Sequence, residues 1–513
     1  MNGAESALRT AAHAGIDVCF ANPGTTELPF VAALEAVGAI RPVLGLFEGV
    51  CTGAADGYGR MTGRPALTLL HLGPGLANGL ANLHNARRAR TPVVNLVGDH
   101  ATWHLAADPP LASDITSLAR TVSTFVRTTR SASELSGDVA AAVAAACEPP
   151  GGVATLVVPA DCQWEEAPGP PATPSPATGP APVSEDAVGV AAKLLTGGSA
   201  VLLLGGPALH RPGLMAAGRV ARATGCRLIS EGFPARMERG AGLPPVERMG
   251  YFPEQVLGQL SGVTGIVLAG AAAPVAFFGY PSQPSSLVPT GADVCVLASP
   301  DQEVVGGLEA LADALDAPNT GLTAELARPE RPTGELSVAT LGATVAHLLP
   351  EGAVVVDEAA TSGVGYHHLS ATAAPHTCLG LTGGAIGQGL PVATGAALAC
   401  PDRPVVALQA DGSAAYTLQA LWTQARQSLD VTTVLCNNRS YRILQIEMAR
   451  SGLAPDREAP AGLTDLSHPD IGWARLAEGF GVPAVSVDSA DGLCRHLEAA
   501  LGEGGPHLIE ARL

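Results

Sequence analysis

The chain is predicted to be an α/β protein of three tandem doubly wound parallel-sheet domains, and three observations support that reading. Short apolar runs bounded by Gly, Pro and polar residues recur along all 513 residues, alternating with longer helical patterns. Hydrophobic residues make up 47% and charged residues only 15%, enough for several large cores. Two stretches that cannot build a core interrupt the pattern. Residues 168–182 (PGPPATPSPATGPAP) are almost all Pro, Ala, Gly, Ser and Thr, and a weaker break runs from about Pro318 to Pro332. The expected boundaries are a domain at 1–165, a linker at 166–183, a domain at 184–318, a linker at 319–335 and a domain at 336–513.

The strands follow in order. In the first block, Ala66–Leu70, Val93–Val97 and Thr155–Val158 read as buried strands. In the middle block, Val201–Leu204, Gly265–Leu268 and Val294–Leu297 do the same. Ala353–Val356, Val405–Leu408 and Thr432–Leu435 complete the set in the third. Unbroken apolar runs of this length, separated by helices, imply parallel sheets covered on both faces.

Composition excludes several classes. The formal net charge is -18 and no basic stripe is visible, so nucleic acid is not an expected partner. No apolar run reaches membrane-span length, and the N-terminus lacks a basic segment leading into an apolar one. Ten cysteines are scattered without a C-x-x-C pair and read as reduced core residues of a cytoplasmic protein. Lys193 is the only lysine.

The strongest chemical signal is Val405 to Ser413. A buried strand runs into Asp411, Gly412 and Ser413, which places the carboxylate at the carboxyl end of a parallel strand, where open α/β sheets bind ligands. A second strand ends in Asn437-Asn438, and twenty-four residues, about one helix plus turns, separate Gly412 from Asn437. Together the strand ends offer a carboxylate oxygen and an amide oxygen. A backbone carbonyl and diphosphate oxygens would complete the hard oxygen shell that Mg²⁺ or Ca²⁺ requires. By themselves, Asp-Gly and Asn-Asn are also ordinary turns.

Asp-Gly-Ser, a gap in the mid-twenties and Asn-Asn resemble the signature of thiamine-diphosphate-dependent enzymes, with Ala410 replacing the usual first Gly. The resemblance covers the whole chain and names the three domains pyrimidine-binding, central and diphosphate-binding. It implies thiamine diphosphate as cofactor. Asp411, Asn438 and the Ser440 carbonyl would hold the metal. Ser413, Gly412 and Tyr441 would line the cofactor pocket, and Thr361, in Val356 to Ser362, would help hold the diphosphate. In Leu381 to Pro391, Ile386 matches the apolar prop that bends the cofactor, and Gly384 supplies backbone groups to its pyrimidine. Glu48, after the apolar run Pro42 to Phe47 and before Ala55-Asp56-Gly57-Tyr58, matches the glutamate that activates the cofactor. It is expected to open a helix ending near that tetrapeptide.

Two further segments bear on the reaction. Phe20 to Phe30 (FANPGTTELPF) is similar to a loop of benzoylformate decarboxylase that has a serine where Thr25 stands. His71 matches a catalytic histidine of that enzyme, whereas Gly73-Pro74-Gly75 is shared with acetolactate synthases. The segment Pro274 to Pro281 lacks the second histidine of benzoylformate decarboxylase. The Phe-Gln pair and the selective tryptophan of acetolactate synthases are missing near Pro110 to Ala112 and Ile446-Glu447. The leading expectation is an acetolactate-synthase-like carboligase, which takes CO₂ from a 2-oxo acid and joins the remaining acyl unit to a second carbonyl. The alternative is a decarboxylase that releases an aldehyde from an aromatic or branched 2-oxo acid. A non-catalytic cofactor-binding paralogue ranks third, since Glu48 is retained. FAD is not expected. The resemblance implies a homodimer at least, with a homotetramer common, and places Glu48 of one subunit opposite Asp411 of another.

Overall fold

The computed structural model describes residues 1–453 and 461–513. The first sheet contains β1 (Val18–Asn22), β2 (Arg41–Leu44), β3 (Ala66–Leu70), β4 (Val93–Asp99), β5 (Phe125–Thr128) and β6 (Val153–Pro159). Its order is β2-β1-β3-β4-β6-β5, with every pair parallel. The middle stretch supplies β7 (Ala200–Leu204), β8 (Arg227–Ser230), β9 (Met237–Arg239), β10 (Glu247–Arg248), β11 (Gly265–Ala269) and β12 (Asp293–Ala298). Five of these form the parallel sheet β10-β8-β7-β11-β12. The third sheet is β17-β18-β16-β15-β13-β14-β9, built from β13 (Val354–Glu358), β14 (His376–Gly380), β15 (Val405–Ala410), β16 (Val431–Asn437), β17 (Ala484–Val487) and β18 (His507–Arg512).

The central strands are mostly apolar because both faces of each sheet are covered there, while edge strands such as β5, β10 and β12 carry polar or exposed residues. Along β3, Leu67 and Leu69 enter one core while Ala66 and Leu70 enter another. The same alternation sends Leu202 and Leu204 of β7 to one side and Val201 and Leu203 to the other. It also divides Val406 and Leu408 from Val405 and Ala407 in β15. This period of two is invisible in the residue types because both sides demand hydrocarbon.

Two features depart from the sequence reading. Strand β9 leaves the middle stretch and pairs antiparallel with β14, covering what would be an open edge of the third sheet. The helix opened by Glu48 runs to Thr62, past Ala55-Asp56-Gly57-Tyr58, and stops where Gly63 takes φ 68°. Residues 168–180 carry no regular structure. The second break is extended but not detached, since Leu322 donates to Gly218 O and Ala324 to Leu243 O. All ten cysteines are free thiols. Among the described residues, no helix is long and apolar enough to cross a membrane.

The first and third sheets are joined by helices 48–62 and 389–399, which touch almost backbone to backbone. A Cβ on Gly57 would lie 2.2 Å from Val392 O, and one on Gly395 would lie 1.9 Å from Ala54 O. Glycine at both positions permits this approach.

Candidate active site

Sheet order explains how the first group of residues assembles. Strands β2, β1 and β3 are neighbours and parallel, so their carboxyl ends lie side by side. Glu48 follows β2, the turn Thr25–Glu27 follows β1, and His71 follows β3. Glu48 opens its helix with its side chain buried, where it accepts a 3.0 Å hydrogen bond from Asn78 Nδ2. Gly75 crosses so closely that a Cβ there would stand 3.2 Å from Glu48 Oε1.

His71 precedes helix Leu72–Ala89, and Leu72 is held at φ 54°, a left-handed conformation costly for a branched side chain. The imidazole Nδ1 lies 2.7 Å from Glu27 Oε2. Glu27 is completely buried and also accepts from Thr26 Oγ1 at 2.5 Å and Gly24 N at 2.8 Å. Thr25, singled out from the sequence, is exposed on the same turn. Its neighbours Thr26 and Glu27 make the contacts with His71. Glu27 was overlooked because its side chain is read as one polar residue of a turn. Its burial follows from Gly98, where a Cβ would fall 1.7 Å from Glu27 Oε1.

The second group assembles by the same rule, since β13, β15 and β16 are adjacent and parallel. Thr361 follows β13, Asp411 follows β15 and Asn438 follows β16. Asp411 is buried, and its carboxyl is raised above the ordinary carboxylate range by desolvation, opposed by backbone N–H groups. Gly412 N donates to one carboxylate oxygen at 2.8 Å and Arg439 N to the other at 2.7 Å. Asn438 Oδ1 accepts from Ser440 N at 3.0 Å. Among the described residues, Ser440 Oγ is buried without a partner. Gly412 lies under the Tyr441 ring, where a Cβ would come within 2.5 Å of Cε1, and Ser413 is buried beside it in the same short helix. A cleft of about 480 Å³ opens here, lined by Thr361, Ser362, Asn438, Ser440 and Arg442 among others.

Gly384 and Ile386 lie on a loop that both ends of the chain hold. Gly384 has φ 77°, and a Cβ on it would meet Phe277 Cζ at 2.8 Å. From the third block, the buried Glu358 carboxylate accepts from the N–H groups of Gly387, Gln388 and Gly389 and from Gln409 Nε2, at 2.7–3.1 Å. From the first block, Asn85 Nδ2 donates to Ala385 O at 2.8 Å and Asn82 Nδ2 to Gly387 O at 3.2 Å. Among the described residues, no hydrogen bond or ion pair joins Glu48 to Asp411, which stand at the ends of different sheets.

The donor set suits a hard cation. Among the described residues, no three His, Cys, Asp or Glu side chains converge as a metal site. What converges is one buried carboxylate, one amide and a serine whose hydroxyl has no partner. That is an oxygen-only set, with room for diphosphate oxygens in the adjoining cleft.

Comparison with known proteins identifies the family. Residues 1–118 match the thiamine pyrophosphate enzyme, N-terminal TPP binding domain, and residues 360–511 match the thiamine pyrophosphate enzyme, C-terminal TPP binding domain. Over 99% of its length, the chain is 51% identical to a Mycobacterium tuberculosis protein described as "Putative acetolactate synthase large subunit IlvX", covering 98% of that protein. The chain belongs to the thiamine pyrophosphate enzyme family. As a member of that family it is 28% identical to benzoylformate decarboxylase of Pseudomonas aeruginosa, over 97% of this chain and 96% of that one. A solved thiamine diphosphate-dependent 4-hydroxybenzoylformate decarboxylase from Rhodococcus jostii superposes with a TM-score of 0.88 at 26% identity, covering 100% of this chain and 99% of the other. Its family domains mark this thiamine pyrophosphate enzyme as one that takes thiamine diphosphate.

Proposed function

We propose that the protein is a thiamine-diphosphate-dependent 2-oxo acid decarboxylase that completes turnover by proton transfer and releases an aldehyde. The observation that carries this reading is the His71–Glu27 pair, 2.7 Å apart at the strand end next to Glu48. An enzyme that joins its acyl unit to a second carbonyl needs no proton at the acyl carbon, whereas aldehyde release requires one. A histidine oriented by a buried carboxylate is a suitable donor.

Asp411, Asn438 and the Ser440 carbonyl would hold Mg²⁺ or Ca²⁺. Thr361 and Ser413 would face the diphosphate, and Gly412 would admit it closely beneath Tyr441. Gly384 and Ile386, on the loop clamped by Glu358 and Asn85, would hold the cofactor's rings. When bound, thiamine diphosphate supplies a carbon that adds to the 2-oxo group and an electron sink as CO₂ leaves. Glu48 is buried and, among the described residues, its carboxylate is bonded only through Asn78, which would leave its second oxygen to share a proton with the aminopyrimidine. His71 returns a proton to the substrate carbon, and Thr25 borders the same entrance.

Exposed apolar side chains support a shared assembly. Leu28, next to Glu27, and Leu46, two residues before Glu48, are 56% and 43% exposed, and Tyr416 and Leu444, a few residues beyond Asp411 and Ser440, are 53% and 47% exposed. Two such apolar rims suit a second copy that brings Glu48 of one subunit to Asp411 of another, in a homodimer at least and by family habit a homotetramer.

Carboligation of the acetolactate synthase kind is the second reading, favoured by the 51% identity to a protein of that description. Incubation of the protein, loaded with thiamine diphosphate and Mg²⁺, with pyruvate and separately with benzoylformate separates the two. Under the first reading, NMR shows aldehyde and CO₂ in equal amounts. Acetolactate as the main product supports the second, and no turnover of any 2-oxo acid defeats both.

A further inference from the structure

Glu27 buries a carboxylate with no arginine or lysine within ion-pair distance, its one ionic partner being His71 among the described residues. Burying a carboxylate is expensive, and a turn that needed only closing would be served by an amide or hydroxyl. Both oxygens face donors. Oε2 receives Gly24 N at 2.8 Å and stands 2.7 Å from His71 Nδ1, and Oε1 receives Thr26 Oγ1 at 2.5 Å. With Oε2 taken by Gly24 N and Oε1 by Thr26 Oγ1, Glu27 serves as the acceptor toward the ring, so Nδ1 carries the hydrogen and Nε2 is the nitrogen left for the site. The slot is also closed sterically. A Cβ on Gly24 would lie 2.2 Å from His71 Nδ1, a Cβ on Gly98 would lie 1.7 Å from Glu27 Oε1, and buried Leu72 holds its left-handed φ directly after the histidine.

We propose that Glu27 is a positioning residue, fixing His71 with Nδ1 protonated and Nε2 directed to the substrate carbon, and so commits turnover to aldehyde release. The inference rests on the reading of His71 given above. Before that step the neutral ring, with Nδ1–H on Glu27, takes a proton from solvent on Nε2. The carbon–carboxylate bond then breaks, CO₂ leaves, and the electron pair it surrenders is finally shared with that Nε2 proton, which returns His71 to the neutral Nδ1–H form. Glu27 takes no part in bond making; it holds the ring and faces it with a negative charge while the proton is carried.

Two substitutions separate geometry from charge. In Glu27→Gln, the amide oxygen can replace Oε2 toward Gly24 N and Nδ1–H while the NH₂ group faces Thr26 Oγ1, so the tautomer is kept and the charge lost. Glu27→Leu removes both. Solid-state ¹⁵N spectra of histidine-labelled holoenzyme, with His71 assigned through His71→Asn, should show a single Nδ1–H tautomer in wild type and in Glu27→Gln, and a mixture in Glu27→Leu. With benzoylformate, kcat for aldehyde should fall about 10-fold in Glu27→Gln and about 10²-fold in Glu27→Leu. KM should be unchanged, and the product should shift toward coupled acyloin. A single tautomer in Glu27→Leu, or wild-type kcat and product ratio in Glu27→Gln, overturns the proposal, and the latter holds even where the leucine variant fails to fold. The tautomer is read without substrate, so an enzyme inert toward 2-oxo acids would refute the proposed reaction while the spectra still judge Glu27.

Discussion

Replacing Gly395 by alanine tests the joint between the two halves of the site. The new Cβ would lie 1.9 Å from Ala54 O and 2.7 Å from Tyr58 N, both backbone atoms of helix 48–62. A relaxed C···O contact is about 3.3 Å, so the helices must part by roughly 1.4 Å, and no side chain can rotate to absorb it. Overpacking of this kind costs about 1–3 kcal/mol. Glu48 begins one of these helices, and the other follows directly on the loop that carries Gly384 and Ile386. A displacement near 1 Å between groups that act together lowers a rate about 10²-fold. The control is Gly189→Ala, in the exposed helix Glu185–Thr196, where nothing lies within 4 Å of the added Cβ. It should gain about 0.4–1 kcal/mol. Urea denaturation of both variants, together with H/D exchange at C2 of bound thiamine diphosphate, provides the assay. If Gly395→Ala unfolds at the wild-type midpoint and exchanges at the wild-type rate, the close helix contact does not position Glu48.

Glu48→Gln should leave cofactor affinity near wild type and abolish C2 exchange of bound thiamine diphosphate; unchanged exchange would remove Glu48 from its role. Asp411→Asn should weaken thiamine diphosphate binding in Mg²⁺, and a chelator should release cofactor from wild type but change little in the variant, both read by equilibrium dialysis. His376 predicts an acid-labile fold. It is buried between Tyr366 Oη at 2.8 Å and Ala374 O at 2.7 Å, and desolvation lowers its pKa from 6.5 to about 4. Below pH 6.5 the unfolded chain takes a proton that the folded chain refuses. Stability is therefore full above pH 6.5 and falls as pH drops toward about 4, by about 3 kcal/mol from this group at the acid end. His376→Gln should flatten the dependence of the urea midpoint on pH between 7 and 4, and an unaltered slope would assign the loss to other groups.

The fold was legible because both faces of each sheet are covered. Runs such as Val93–Val97 and Val405–Leu408 have no polar alternation to confuse with a helix, and the second lies in the strand that leads to the candidate residue Asp411. Asp411 and Asn438 could be found since each directly follows such a run and neighbouring strands bring the ends together. Glu27 and Glu358 were not legible in the same way. Glu358 sits at a strand end, yet its task is to gather three N–H groups from a loop almost thirty residues away. The pairing of β9 with β14 was equally hidden, for three residues between two turns carry no periodicity that identifies their sheet.

Glycine content illustrates the remaining gap. The chain holds sixty-one glycines, and Gly63 and Gly384 take left-handed backbone. The glycines that shape the site act differently. Gly57 and Gly395 lie within helices, where glycine is a poor helix former by about 1 kcal/mol, and Gly98 lies in a fully buried strand. Each tolerates that local cost because a methyl group would strike a backbone atom of the opposite domain or the Glu27 carboxylate. These three glycines in regular elements mark close approach, whereas Gly189, also within a helix, marks none. Here the three mark, in turn, the contact that carries Glu48 and the slot that holds His71, so alanine at Gly98 should disturb the histidine as surely as loss of Glu27 itself.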